Sequence, residues 1–159
     1  MKEIKLYHTN SQINKDYYEL DVEIVEANYG NGKLNGEYKE WYTNGQLFEH
    51  KHYADGKLNG EYKEWYDHGQ ISTHAYYVDN KLHGDYKEWH SHGQLYTQMY
   101  YVNDKLHGEH KIWNEDGRLV VHTFWVHGEE VTRQVAKLVT DINDMTEEEL
   151  VMVKLAVGC

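Results

Sequence analysis

A phrase that recurs four times at a constant spacing of 24 residues constrains the fold of this chain more than any other feature. The copies begin at Lys33, Lys57, Lys81 and Lys105 and read KLNGEYKEWYTNGQL, KLNGEYKEWYDHGQI, KLHGDYKEWHSHGQL and KLHGEHKIWNEDGRL. A fixed period of this size indicates a stack of similar supersecondary units, each of which buries its apolar face against its neighbours. We therefore expect an extended repeat surface and no enclosed catalytic pocket.

Turn signals divide each repeat into two strands. One set of dipeptides is Asn44-Gly45, His68-Gly69, His92-Gly93 and Asp116-Gly117. A second set lies midway between them: Asp55-Gly56, Asp79-Asn80, Asn103-Asp104 and His127-Gly128. Such dipeptides favour two-residue turns in which both φ angles are positive. The sequence therefore predicts an all-β fold, an elongated single-layer antiparallel β-meander of 24-residue hairpin repeats.

Two-residue turns at these positions also predict the register and the two faces of the sheet. They place Trp41 opposite Phe48 and Lys51 opposite Gly60, and side chains then alternate between faces along each strand. One face carries the repeated tyrosines and is the expected core; we expect its glycines to let an aromatic ring lie against the backbone or to let the strand bend. The predicted structural positions are Tyr38, Tyr62, Tyr86, Gly36, Gly60, Gly84 and Gly108.

The opposite face carries a column of tryptophans beside a column of lysines. The candidate binding strip consists of Trp41, Trp65, Trp89, Trp113, Lys39, Lys63, Lys87 and Lys111. The strip either binds an extended protein partner or is ordinary cross-strand packing of Trp rings on Phe48, Tyr96 and lysine stems. Aromatic residues on both faces of a single sheet favour some partner, and a second copy in a homodimer is one candidate.

The period breaks at both ends, which predicts three segments. Residues 1–32 read as N-terminal edge strands and a half repeat, in which Ile4, Leu6, Tyr17 and Tyr18 belong to irregular edge strands. Residues 33–129 contain the four repeats. Residues 130–159 show helical spacing of apolar residues and a capping box, and predict a short C-terminal helical cap over the last strand.

Charge and cysteine content limit the partners and the compartment. Lys plus Arg number 16 and Asp plus Glu 27, a formal net charge of −11 that repels phosphate backbones and makes nucleic acid an unsuitable partner. Cys159 is the only cysteine, which excludes an internal disulfide and fits a reducing compartment. We find no signal-peptide or membrane-spanning pattern and expect a cytoplasmic protein.

The sequence offers no catalytic constellation. No nucleophile elbow or phosphate-binding glycine loop is present, so we expect neither an enzyme nor a cofactor. His50 with His52, or His90 with His92, could pair on one face, but equivalent residues of successive repeats lie about 10 Å apart, so we expect no metal site. We expect His68, His83, His92 and His107, which replace asparagines of other copies, to tolerate left-handed turn geometry.

The segments Gly36 to Leu47 and Tyr53 to Gly60 resemble the MORN repeat, in the variant of the YwqK-type antitoxin family, and are similar to repeats of giant-virus proteins. The resemblance covers residues 29–129 and implies a curved antiparallel sheet used for protein contacts, dimerisation or scaffolding, with lipid binding proposed for some members. His110, Ile112 and Asn114 depart from the pattern in the fourth copy.

Three functions are compatible with these observations. We favour a non-enzymatic scaffold or protein-interaction module that can associate with itself. The alternatives are antitoxin-like neutralisation of a partner protein and a phosphoinositide or membrane-surface adaptor, which the net charge disfavours. A viral origin would place the protein in the host cytoplasm or the virion.

Overall fold

The predicted antiparallel meander is confirmed. A computed structural model describes residues 2–6 and 22–133, which form one open antiparallel sheet of twelve strands. Strands that follow each other in the chain are neighbours in the sheet, except that the two-residue β9 pairs only with β8 and β10 pairs with both β8 and β11. The strands are β1 Lys2–Leu6, β2 Val22–Gly30, β3 Lys33–Tyr42, β4 Leu47–Ala54, β5 Lys57–Trp65, β6 Ile71–Val78, β7 Lys81–Trp89, β8 Leu95–Val102, β9 Lys105–Leu106, β10 Gly108–Trp113, β11 Leu119–Val126 and β12 Glu129–Val131.

One long side of the sheet is closed by the two-residue turns that the sequence predicts. At Asp55-Gly56 and Asp79-Asn80 both φ angles are positive, at 50° and 80° and at 51° and 68°. Asn31-Gly32, Asn103-Asp104 and His127-Gly128 have the same geometry. This geometry matches the right-handed twist of the flanking strands, so each turn connects two adjacent strands without a bulge at the turn itself.

The turns on the other long side differ from the prediction. The amide of Tyr42 donates to the carbonyl of Gln46 and the amide of Gly45 donates to the carbonyl of Tyr42, which makes a three-residue loop. Only Gly45 has a positive φ, and the same hydrogen-bond pattern recurs at Tyr66, His90 and Asn114. As a result Trp41 pairs with Leu47, and the expected pairing with Phe48 is wrong. His68, His83, His92 and His107 do not adopt positive φ either, so the left-handed geometry expected of them is also wrong.

A register shift beside each core-face glycine is a second difference. Lys51 pairs with Tyr62, two residues beyond the predicted partner Gly60, because the ladder shifts between Lys51 and Tyr53. Gly36, Gly60 and Gly84 have φ angles of 107°, 118° and 111°. A Cβ at Gly84 would lie 3.4 Å from the Cβ of Tyr76, on the face opposite the repeated tyrosines. These glycines therefore shape the backbone, and Gly108, with φ 82° and no such neighbour, differs from the other three.

Burial shows which face is the core. The most deeply buried described residues are Ala27, Glu49, Ala75 and Thr97, and all four share a face with Tyr38, Tyr62 and Tyr86 by register. On this surface, the Tyr face, rings of adjacent strands meet edge to face, as between Tyr62 and Tyr77 with centroids 5.6 Å apart. The opposite surface, which carries Lys39, Lys63, Lys87 and Lys111, is called the Lys face below.

The ends of the array agree only in part with the expected segments. β1 adds an edge strand beside β2, as predicted for the region of Ile4 and Leu6. Glu130 and Val131, which the prediction assigns to the cap, belong to β12. Tyr17, Tyr18 and residues 134–159, where the remaining cap was predicted, lie outside the described residues.

Candidate functional site

Each lysine of the predicted strip pairs with an acidic residue two positions before it on the same strand. The ammonium of Lys39 lies 2.7 Å from Oε2 of Glu37, and that of Lys63 lies 2.8 Å from Oε1 of Glu61. Lys87 lies 3.7 Å from Asp85, and Lys111 contacts Glu109. Residues i and i+2 of a strand share a face, so every repeat presents an acidic row beside a basic row. Each of the four lysines of the strip is therefore neutralised by an acidic neighbour, and none of the four is an unpaired cation.

Histidines from the adjacent strands complete these charge clusters. His74 lies opposite Lys63 and its Nε2 is 2.9 Å from Oε1 of Glu61. His50 lies between Lys39 and Lys63, 3.7 Å from Glu37. Burial, with help from the charge of Lys39, holds the pKa of His50 below its ordinary value, so this imidazole is neutral at neutral pH.

The carboxylates of these clusters are held in the ionised state. The hydrogen bond from Lys39 is the main cause that lowers the pKa of Glu37, and Lys63 does the same for Glu61. Both carboxylates therefore remain negatively charged well below neutral pH. The Lys face thus keeps alternating charge over the pH range of most cells.

The four tryptophans of the predicted strip stand near the three-residue loops and are half-buried. Trp41, Trp65, Trp89 and Trp113 occupy the ends of β3, β5, β7 and β10, and pair with the first residues of the next strand, Leu47, Ile71, Leu95 and Leu119. The backbone carbonyl of Trp65 accepts a hydrogen bond from the hydroxyl of Tyr42 at 2.7 Å, and that of Trp89 from Tyr66 at 2.6 Å. These contacts connect successive repeats through the backbone at the tryptophan positions and do not involve the indole rings.

Among the described residues, the most exposed aromatic side chains are tyrosines that the sequence analysis did not select as a binding site. Tyr76, Tyr96 and Tyr100 are 38%, 40% and 40% exposed. The register places Tyr76 and Tyr100 on the Lys face, whereas Tyr96 lies at the register shift beside the loop and has no ladder partner. Val78, two residues after Tyr76 on the same strand, adds exposed apolar surface to this face. The sequence could have indicated these residues, because Tyr76 and Tyr100 occupy the same position in successive repeats. The repetition does not show, however, which face of the sheet is exposed.

A shallow depression of about 600 Å³ beside the three-residue loops brings Trp89 of the strip together with Tyr96 and with residues of the Tyr face. Trp89, Tyr66, His90 and Tyr96 line it, together with the carboxylates of Glu64 and Glu88. The rings of His90 and Tyr96 lie 5.0 Å apart. The aromatic rings of this depression could contact an apolar side chain of a protein partner, and its carboxylates could pair with a basic one.

The Tyr face carries polar groups that are satisfied internally. Burial, reinforced by a hydrogen bond to Glu64, raises the pKa of Tyr62, so its hydroxyl stays protonated and donates to that carboxylate. Tyr38 and Tyr86 make the same contact with Glu40 and Glu88. Buried Glu49 contacts Lys51, whose ammonium lies over the ring of Tyr38. These hydrogen bonds and ion pairs within the Tyr face stabilise the sheet.

Comparison with known proteins found one family match. Residues 34–55, 58–79 and 82–103, in three consecutive repeats, match the family model described as MORN repeat variant. The MORN repeat is a non-catalytic module that generally mediates protein or membrane interactions. No curated protein matches the chain. None of the helices in the described part of the chain has both the length and the apolar character needed to cross a membrane.

Proposed function

We propose that this array of MORN-variant repeats is a non-catalytic protein-interaction module whose binding surface is the Lys face. The observation that carries the proposal is the pair of exposed tyrosines, Tyr76 and Tyr100, on a face that nothing in residues 2–6 and 22–133 covers. Tyrosine supplies a large contact area at a low cost in conformational entropy and is enriched in protein interfaces.

A second copy of the chain is the first candidate partner. The Lys face carries an acidic row at positions such as Glu61 and a basic row at positions such as Lys63. A copy related by a two-fold axis would place the acidic row of one chain opposite the basic row of the other, as a self-complementary interface requires. The protein would then act as a self-associating scaffold.

Size-exclusion chromatography with light scattering tests this proposal on the full chain and on a Tyr76→Thr, Tyr100→Thr double variant. We expect the unmodified chain to form an oligomer that the double variant converts to a monomer, because the exposed rings form the contact. Leu119→Thr is the matched control, since it removes an exposed apolar side chain outside the tyrosine row. A chain that is monomeric at every concentration would reject self-association.

The second candidate is a basic partner protein, bound in the manner of an antitoxin. The net charge of −11 favours it, because an acidic surface speeds association with a basic protein and fixes its orientation. Resemblance to the YwqK-type repeats is consistent with this candidate. A monomeric chain that binds a basic protein more weakly after the same two substitutions would support it, and binding that is indifferent to them would reject the Lys face.

The remaining alternative, a phosphoinositide adaptor, has less support. The lysines that would contact anionic headgroups already pair with carboxylates two residues away, as Lys39 does with Glu37 at 2.7 Å. The acidic row beside them repels an anionic surface.

A further inference from the structure

One cluster on the Lys face breaks the repeat pattern. At the position of His52 the later copies have Tyr76, Tyr100 and Phe124. Because His52 lies on the strand beside Glu37 and two residues from His50, three potential metal ligands meet in a single hairpin. The expectation of no metal site compared residues of different repeats and left out the acidic residue on the strand directly opposite.

The three ligand atoms are close enough to share one ion. Oε1 of Glu37 lies 3.7 Å from Nε2 of His50 and 3.9 Å from Nε2 of His52, and all three atoms lie within 4.8 Å of one another. Ligands bound to zinc at about 2.0 to 2.1 Å in a tetrahedron are about 3.3 Å apart. Small rotations of the two imidazole rings, whose centroids are 4.9 Å apart, would close the remaining distance.

The surrounding contacts orient the ligand atoms toward one point. Nδ1 of His52 lies 3.4 Å from the carbonyl oxygen of Glu61, to which it can donate, so that the lone pair of Nε2 is left toward Glu37. Lys39 holds Oε2 of Glu37 and leaves Oε1 facing the histidines. Nε2 of His50 is buried and makes no hydrogen bond with any described residue.

We propose that Glu37, His50 and His52 form a binding site for a zinc-class divalent transition-metal ion. Two imidazoles and one carboxylate are a donor set that such ions prefer over calcium or magnesium. The half-exposed carboxylate of Glu37 leaves the outer side of the site open, so that water or a ligand from another molecule completes the coordination. The site is specific to the first full repeat, and metal binding there is independent of the partner proposed above.

The repeats supply substitutions that the fold already accepts. His52→Tyr reproduces the tyrosine of the second and third repeats, and His50→Gln reproduces Gln98 of the third. Tyr76→His should instead create a site in the second repeat. It places a third potential ligand beside Glu61 and His74, whose Oε1 and Nε2 atoms lie 2.9 Å apart. The three variants therefore test the site without introducing a residue that is foreign to its position.

Calorimetric titration of the full chain with zinc chloride, with the visible absorption of cobalt(II) as a second readout, tests the proposal. Differences between variants cancel binding by the other histidines and by Cys159, which no substitution alters. We expect His52→Tyr and His50→Gln each to lose one equivalent of zinc or to weaken its binding by about 100-fold, the upper end of the cost of losing even an outer partner of a metal ligand. We expect Tyr76→His to gain one equivalent.

Either of two results would overturn the site. His52→Tyr and His50→Gln could both keep the stoichiometry and affinity of the unmodified chain, which would place its metal binding elsewhere. A Tyr76→His protein without an additional equivalent would show that the Glu-His-His geometry does not capture the ion. Far-ultraviolet circular dichroism of each variant verifies that the sheet is retained.

Discussion

Neighbouring residues of the same type have different roles in this sheet. Tyr76 is exposed on the Lys face, whereas Tyr77 packs its ring edge to face against Tyr62 on the Tyr face. The period of two in a strand causes the difference, since successive side chains point to opposite faces. The pair recurs one repeat later, where Tyr100 is exposed and Tyr101 packs its ring edge to face against Tyr86.

Gly84→Ala should destabilise the sheet. The residue has φ 111°, which alanine rarely adopts, and its new Cβ would lie 3.4 Å from the Cβ of Tyr76. Strained backbone of this kind costs about 1 to 3 kcal/mol, which urea unfolding would measure. Lys81→Ala, at an exposed position at the start of the same strand, is the control and should change stability by about 0.5 kcal/mol or less. A Gly84→Ala protein as stable as the control would contradict the backbone role of the glycine.

The stability of the fourth repeat should depend on pH through His110. Burial holds the pKa of His110 below its ordinary value, against an opposing influence of Glu130. The unfolded chain therefore takes up a proton near about pH 6.5 that the folded chain does not, and stability falls as the pH drops below that value. His110→Tyr, which restores the tyrosine of the other repeats, should make this loss shallower in thermal unfolding between about pH 7 and pH 5. An unchanged slope would show that His110 is not responsible.

At the scale of the elements, the two-residue turns join successive repeats as well as adjacent strands. The amide of Asn80 donates to the carbonyl of Leu58 at 2.9 Å, and the side chain of Asn80 accepts from the amide of Leu58 at 2.7 Å. Asp104 makes the same pair of bonds with Leu82. Leu58 lies beyond the end of the ladder between β5 and β6, so its outward backbone groups need these partners.

Asn80→Gly should weaken this connection without disturbing the turn. Glycine keeps the positive φ, as Gly56 and Gly128 do at the equivalent positions, but lacks the side chain that accepts from Leu58. We expect a loss of about 0.5 to 1.5 kcal/mol, the net contribution of one hydrogen bond, in urea unfolding. Asn80→Val, which also opposes the positive φ, should lose more. Equal stability of all three proteins would contradict the connection.

The sequence predicts some turns better than others for a physical reason. At Asp55-Gly56 the predicted two-residue turn, with positive φ at both residues, is confirmed. At Asn44-Gly45 the same kind of dipeptide forms a three-residue loop, in which only Gly45 needs a positive φ. Both loop types accept Asn-Gly, so the dipeptide alone does not decide between them.

The candidate surface could be predicted only in outline. Alternation correctly separates the lysine rows from the repeated tyrosines, because the two-residue register shift preserves the faces. The pairing of Lys63 with Glu61 and the exposure of Tyr76 depend on side-chain conformations that a pattern of residues does not encode. The cluster at His52 was visible as a departure from the repeat, but its third ligand becomes apparent only with the strand register.

At the scale of the whole molecule, the described sheet packs its side chains more closely on the Tyr face, and it exposes on the Lys face the tyrosines that we propose as a binding surface. No large side chain among the described residues is fully buried, because a single layer packs side chains only against neighbours on the same face. Stability then comes from many contacts between adjacent repeats, as in other repeat arrays. We expect exposed residues of the Lys face to be replaceable without loss of the fold, because they make few packing contacts.

The most direct test of this division is urea unfolding of Tyr76→Ala and Tyr77→Ala at successive dilutions of the full chain. We expect Tyr77→Ala to lose about 2 to 4 kcal/mol at every concentration, since it removes a packed aromatic ring. Tyr76→Ala should lose about 0.5 kcal/mol or less once the chain is dilute, as expected for a surface position, with any larger loss confined to concentrations at which chains associate. Equal losses from the two substitutions at every dilution would contradict the account, because they would show that the chain itself covers both faces.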